Sequence, residues 1–71
     1  MVTINIDKLT GNLYNAIESF YMMNEQLPNV EYMDKFEKTF RCKAYRNPAD
    51  INEWLMEFTD EEYTWFLLRW S

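Results

Sequence analysis

The chain of 71 residues contains no histidine, one cysteine, one glycine and two prolines. Without histidine it lacks the side chain that most often serves as a general base near neutral pH. One cysteine and no histidine exclude both an internal disulfide and a tetrahedral Cys/His zinc site. The lone glycine excludes a glycine-rich phosphate-binding loop. We therefore expect no enzyme activity, no metal and no other cofactor.

Signals for export or membrane insertion are also missing. The first residues do not combine a basic segment with a long apolar run, as a secretory signal does. No apolar run approaches the roughly 18 residues that cross a bilayer. The unpaired Cys42 is typical of a reducing compartment. We expect a cytoplasmic protein.

Aromatic residues are abundant and make up 18% of the chain. Each ring can bury roughly 150–250 Å², which offsets the lack of disulfides and metals. A single core of this size still supplies only about 3–5 kcal/mol. Residues 1–71 are therefore expected to form one small domain that gains from docking on a larger protein or from self-association.

The N-terminal half predicts a short strand followed by a long helix. Residues 2–6 alternate apolar and polar side chains, which is a strand pattern. Asp7 or Thr10 is a candidate helix cap, and Pro28 is expected to end the helix. The predicted core stripe of this helix consists of Leu9, Leu13, Ala16, Phe20, Met23 and Leu27.

Residues 29–46 fit two interpretations. Met33, Phe36, Phe40 and Ala44 form a helical stripe, which predicts a helix up to Arg46. Alternation over residues 39–45 instead predicts a strand that could pair with residues 2–6. The first interpretation gives a mainly α bundle of three to four short helices. The second gives an α+β fold with a minimal two-strand ribbon. We expect the mainly α fold.

The last third, residues 47–70, predicts two helices that meet near Thr59. Asn47 followed by Pro48 fits a cap and the first helical position, and the predicted core face then contains Ile51, Trp54, Leu55 and Phe58. Thr59 and Glu62 form a capping box, and Phe58 and Tyr63 have hydrophobic-staple spacing. The core face of the last helix is predicted to consist of Tyr63, Phe66, Leu67 and Trp70.

Several large apolar residues fall outside these predicted core faces. On the last two helices they are Met56, Trp65 and Leu68, and on the first they are Tyr14, Tyr21 and Met22. Aromatic and methionine side chains are enriched at the centres of protein interfaces. These surplus apolar residues therefore predict a docking surface. The alternative is that the N-terminal arm covers Trp65 and Leu68 within the fold.

Charge is unevenly distributed in a chain whose net charge is −5. Residues 47–68 contain six carboxylates and no base. On a helix, the Cβ atoms of neighbouring residues among Asp50, Glu53 and Glu57 would lie about 5–6 Å apart. Together with Asp60 and Glu61, these carboxylates could imitate the phosphates of DNA. The alternative is a solvated helix face that keeps the protein in solution.

Residues 35–46 are basic instead, with five Lys or Arg residues against one acid. Interleaved aromatic rings make this segment a candidate for nucleic-acid binding, although the overall acidity opposes it. Cys42 lies between Arg41 and Lys43, which could lower the pKa of its thiol. An inert buried thiol is the simpler interpretation.

These patterns predict a non-enzymatic acidic modulator or inhibitor that docks on a larger host protein with a basic, perhaps nucleic-acid-handling, surface. A capping-box helix with neighbouring acids and tryptophans is common in small phage-encoded and mobile-element proteins, but no motif assigns a family. The alternatives are a homo-oligomeric structural protein, such as a homodimer, and a nucleic-acid-binding module. The predicted binding residues are Met56, Trp65, Leu68, Asp50, Glu53, Glu57, Asp60 and Glu61.

Overall fold

The computed structural model describes all 71 residues and contains three α-helices and three β-strands. A short 3-10 turn, Ile6–Lys8, follows the first strand. The fold is therefore α+β, and the prediction of a mainly α bundle is wrong. In chain order the elements are β1 Val2–Asn5, α1 Gly11–Asn24, α2 Asn29–Phe40, β2 Lys43–Asn47, β3 Asp50–Phe58 and α3 Asp60–Trp70.

The three strands form one antiparallel sheet in the order β1-β3-β2. The long strand β3 is central, so that Met56 lies between Ile4 of β1 and Ala44 of β2. The predicted ribbon joined residues 2–6 directly to residues 39–45. That pairing is wrong because both outer strands pair with β3 instead.

Residues 47–58, predicted as a helix, form most of the β2–β3 hairpin. Asn47 pairs with Asp50 around the turn at Pro48 and Ala49, and the Asn47 side chain accepts a hydrogen bond from the Ala49 N–H at 2.9 Å. Proline at a turn has the same fixed φ that suits the start of a helix. The Asn-Pro pair therefore did not distinguish the two, and the consecutive apolar residues Trp54, Leu55 and Met56 hide the polar–apolar alternation of a strand.

The middle segment changes from helix to strand at Arg41. This residue has a left-handed backbone with φ of 53°, which ends α2 as a C-terminal cap. The Glu37 carboxylate then accepts a hydrogen bond from the Ala44 N–H at 2.8 Å. The helix-then-strand interpretation describes this segment, with the strand at Lys43–Asn47 in place of residues 39–45.

The long helices differ in how closely they follow the sequence patterns. The first begins after Thr10, which makes no side-chain capping bond, and ends at Asn24, before Pro28. The capping box of α3 is confirmed, since Thr59 and Glu62 exchange hydrogen bonds of 3.0 and 3.1 Å. The rings of Phe58 and Tyr63 lie 5.6 Å apart, as the staple predicts.

The core lies against the sheet face that carries Met56 and Phe58. Phe40 is central to it, with four aromatic rings 4.9 to 6.0 Å from its own. None of the helices is both long and apolar enough to cross a membrane. The buried apolar residues are Ile17, Phe20, Phe36, Phe40, Cys42, Met56, Phe58 and Phe66.

Candidate protein-binding surface

The outward side of α3 brings three of the predicted binding residues together. Glu61, Trp65 and Leu68 follow the i, i+4, i+7 spacing that places side chains on one helical stripe. Leu68 is 81% exposed, although it is a large aliphatic residue. Glu61 is exposed and Trp65 is partly exposed. These three residues are named the α3 outer face.

Trp65 is held in place while part of its ring remains accessible. It packs against the hydrophobic core, and the Arg41 guanidinium lies over its ring, 4.0 Å from the ring centre. A cation over an indole ring is attracted by the electron-rich ring face. The contact orients Trp65 beside Leu68 before any partner arrives.

Asp60 lies at the start of α3, next to Glu61, and forms an ion pair with the N-terminal amine at 3.6 Å. Both groups are largely exposed, so that solvent weakens the pair. Together with Glu61 and Glu62, Asp60 makes the first turn of the helix acidic. The positive end of the helix dipole stabilises this cluster.

Met56, predicted as a docking residue, is fully buried. On the predicted helix it fell outside the core stripe. On the strand it shares a face with Phe58, because residues two apart point to the same side of a sheet. Met56 is thus a core residue and is not available to a partner.

Glu53 and Glu57 lie on the opposite, open face of the sheet, as does Leu55 between them. Glu53 accepts hydrogen bonds from the side chains of Asn5 and Asn47, one on each flanking strand. Glu57 accepts one from the hydroxyl of Tyr45 at 3.2 Å. These carboxylates therefore tie the three strands together.

The strand also changes the spacing of the acidic row. Residues 53 and 57 are separated by roughly 13 Å along an extended chain, at about 3.3 Å per residue. Asp50 lies at the hairpin turn, where its carboxylate accepts a hydrogen bond from the Asn52 N–H at 3.0 Å. The spacing of about 5–6 Å that suggested DNA mimicry requires a helix, which residues 50–58 do not form.

Three of the five basic residues of segment 35–46 contact different parts of the molecule. Lys35 donates a hydrogen bond to a buried asparagine of α1 at 2.7 Å. Arg41 lies over Trp65, and Arg46 lies over the ring of Trp54, 4.9 Å from its centre. Since these cations face different elements, they offer no continuous track for a phosphate backbone.

Cys42 is buried, and burial raises the pKa of its thiol to about 12. The nearby carboxylates of Glu37 and Glu62 act in the same direction. The flanking Arg41 and Lys43 do not lower the thiol pKa, contrary to the effect considered from the sequence. No group of three or more Cys, Asp or Glu side chains is positioned to hold a metal ion.

Some exposed hydrophobic residues were assigned to the core by the sequence patterns. Met23 is 78% exposed and Ile51 is 67% exposed. Both assignments are wrong, the second because residue 51 lies in the hairpin and not on a helix. Tyr14, Tyr21 and Met22, identified as lying outside the core stripe, are exposed on α1.

The structure thus divides the eight predicted residues among separate places. Glu61, Trp65 and Leu68 share one face, with Asp60 beside them, whereas the other four lie in the core, on the open sheet face or at the hairpin turn. No protein-family model, curated protein or solved structure matches the chain.

Proposed function

We propose that this chain is a non-catalytic, acidic cytoplasmic protein that binds a larger protein with a basic surface and thereby modulates or inhibits it. The docking surface is the α3 outer face. The observation that carries the proposal is the exposure of Leu68, 81% accessible, beside an oriented tryptophan and an acidic helix start. Apolar and aromatic anchors of this kind form the centres of protein interfaces.

Pre-orientation of Trp65 favours binding. A side chain ordered only on association loses about 0.5–1.5 kcal/mol of rotamer entropy. The contact with Arg41 and the packing against the core already restrict this ring. Leu68 completes an apolar surface that a partner would bury. Burial of apolar surface gives a favourable free energy of roughly 25 cal/mol per Å².

The charge of the chain favours a basic partner. Its net charge is −5, and three consecutive acids form the first turn of α3. Complementary charges raise the association rate and disfavour partners of like charge. A nucleic-acid-handling protein is one class that offers such a basic surface.

The test compares two matched substitutions at exposed aliphatic residues. Leu68→Ser removes the proposed anchor, and Val30→Ser removes a side chain of similar exposure, 84%, from α2. Wild type and both variants are used to capture partners from lysate of the native host, with quantitative mass spectrometry. We expect one protein to be captured by wild type and Val30→Ser and lost with Leu68→Ser. Equal capture by all three contradicts the proposed surface.

Light scattering on the same samples tests self-association. We expect a monomer at all concentrations, since copies of a chain with a net charge of −5 repel one another. A dimer that Leu68→Ser dissociates would instead assign the face to a second copy of the chain.

A further inference from the structure

The outward side of α1 carries a regular series of aromatic and acidic side chains. The series follows i, i+4, i+7, i+11 spacing along one side of the helix and consists of Tyr14, Glu18, Tyr21 and Glu25. The last of these is the C-cap residue that follows the helix. Tyr14 is 45% exposed, Tyr21 is 55% exposed, and both carboxylates are exposed. These four residues are named the α1 ladder.

No base interrupts this region of the chain. From residue 9 to residue 34 there are four acids and no lysine or arginine. Tyr14 and Glu18 are four residues apart, a spacing at which side chains on a helix are neighbours, and the Glu18 carboxylate raises the pKa of Tyr14. The α1 ladder therefore presents tyrosine faces and carboxylates in turn, with no cation on its own helix to neutralise them.

We propose that the α1 ladder binds a basic amphipathic helix of a partner protein. Each side chain of the ladder suits a cation, and arginine most of all. A guanidinium stacks on a tyrosine ring and forms paired hydrogen bonds with a carboxylate. An alternating series of rings and carboxylates can hold several such cations at once.

The length and backbone of the ladder favour a helical partner. Eleven helical steps of about 1.5 Å span roughly 16 Å, which a second helix matches with cations at the same i, i+4, i+7, i+11 spacing. A partner in the form of a β-strand would leave its backbone N–H and C=O groups unpaired, because the surface of a helix offers no backbone hydrogen-bond partners. Met22, 65% exposed beside the ladder, would meet the apolar edge of the partner helix.

The α1 ladder lies on a different helix from the α3 outer face and shares no side chain with it. Binding of a basic helix there extends the proposed function to the chemistry of a segment that the protein would recognise. Either surface can fail its test while the other passes.

The probe is a synthetic 18-residue helical peptide with arginine at four positions of i, i+4, i+7, i+11 spacing and leucine beside them. The control peptide has the same composition in an order that disperses the arginines around the helix. Binding to the intact 71-residue chain is measured by isothermal titration calorimetry at low and at high salt. We expect the patterned peptide to bind at least about tenfold more tightly than the dispersed one, and more weakly at high salt.

Two variants of equal charge locate the binding surface. Glu18→Gln with Glu25→Gln removes both ladder carboxylates, and Glu31→Gln with Asp50→Asn removes two exposed carboxylates that belong to neither proposed surface. We expect the first pair to weaken peptide binding at least about tenfold and the second to change it less than twofold. Equal loss in both pairs would mean attraction by net charge alone and would overturn the proposal.

A third variant tests the aromatic contribution. Tyr14→Leu with Tyr21→Leu keeps apolar side chains but removes the rings, and circular dichroism checks that the fold is intact. Binding several-fold weaker than wild type is expected if arginines stack on the rings. Unchanged binding, or equal binding of both peptides to wild type, contradicts the ladder as the recognition surface.

Discussion

The two sides of α3 differ sharply in their exposure to solvent. Phe66 is fully buried, whereas Leu68, two residues later, is 81% exposed. The Phe66 ring lies 5.0 Å from that of Phe58 and 6.0 Å from that of Phe40. Core packing explains Phe66, but nothing in the fold explains Leu68. Apolar residues of similar size on one short helix therefore have different roles.

The same contrast occurs across β3, with a different result. Met56 and Phe58 face the core, whereas Leu55 and Glu57 face the open side of the sheet. There the carboxylates have hydrogen-bond partners on the neighbouring strands. Strand pairing thus accounts for the carboxylates of the open sheet face, whereas the fold provides no contact that accounts for Leu68 on the α3 outer face.

The largest effect is expected on the buried side of α3. Phe66→Ala should lower the free energy of unfolding by about 3–5 kcal/mol, because it removes a ring from a closed core and leaves a cavity. Urea denaturation followed by circular dichroism measures the change. In a domain of this size the variant will be largely unfolded. A loss below about 1 kcal/mol would mean that the core is loosely packed.

Alkaline pH should reduce stability through Cys42. Its thiol pKa is raised from 9.0 to about 12 in the folded chain. Between these values the unfolded chain releases the thiol proton and the folded chain retains it, so that the free energy of unfolding falls as pH rises.

The control for this effect is Cys42→Ala, which has no thiol to titrate. Denaturation at pH 7 and at pH 10.5 should show a larger loss in wild type than in the variant. An equal loss of unfolding free energy in wild type and Cys42→Ala would mean that the Cys42 thiol is not buried. A thiol-reactive probe at pH 8 should also label wild type only after denaturant is added.

Removal of the capping box should have a smaller effect. Thr59→Ala deletes the hydroxyl that accepts the Glu62 N–H and should cost about 1 kcal/mol. Urea denaturation measures the loss, and Thr64→Ala, on the exposed side of the same helix, is the comparison. If Thr59→Ala lowers the free energy of unfolding no more than Thr64→Ala does, the capping box contributes nothing to stability.

The smallest change in stability is expected at the α3 outer face. Leu68→Ser should alter the free energy of unfolding by less than about 0.5 kcal/mol, because its side chain is already in water. Thermal and urea denaturation measure this directly. A loss comparable to that of Phe66→Ala would place Leu68 in the core and remove the contrast between the two sides.

The sequence predicted those elements whose signals are local. The capping box at Thr59 and Glu62 depends on residues three apart, and the first strand depends on alternation over a few residues. Both are present. The helix-to-strand change at Arg41 was one of two interpretations, because the pattern from Phe40 to Tyr45 satisfied both periods.

The hairpin was missed because its signals were ambiguous. Asn47 and Pro48 suit a turn as well as a helix start, and four apolar residues between 51 and 58 fit a helical stripe by coincidence. This single error moved Met56 from the core to the predicted surface and placed Glu53 and Glu57 on an imagined helix. From the sequence, Trp65 and Leu68 were placed on one helix, whose start the capping box had identified, but Glu61 was assigned to the separate acidic array.

The affinity of Leu68→Ser for the captured partner decides whether Leu68 anchors that partner to the α3 outer face. The dissociation constants of wild type, Leu68→Ser and Val30→Ser are measured by calorimetry with the purified partner, at a temperature where all three are folded. We expect binding weaker by at least about tenfold for Leu68→Ser and within twofold of wild type for Val30→Ser. Wild-type affinity for a folded Leu68→Ser variant would mean that Leu68 is not an anchor.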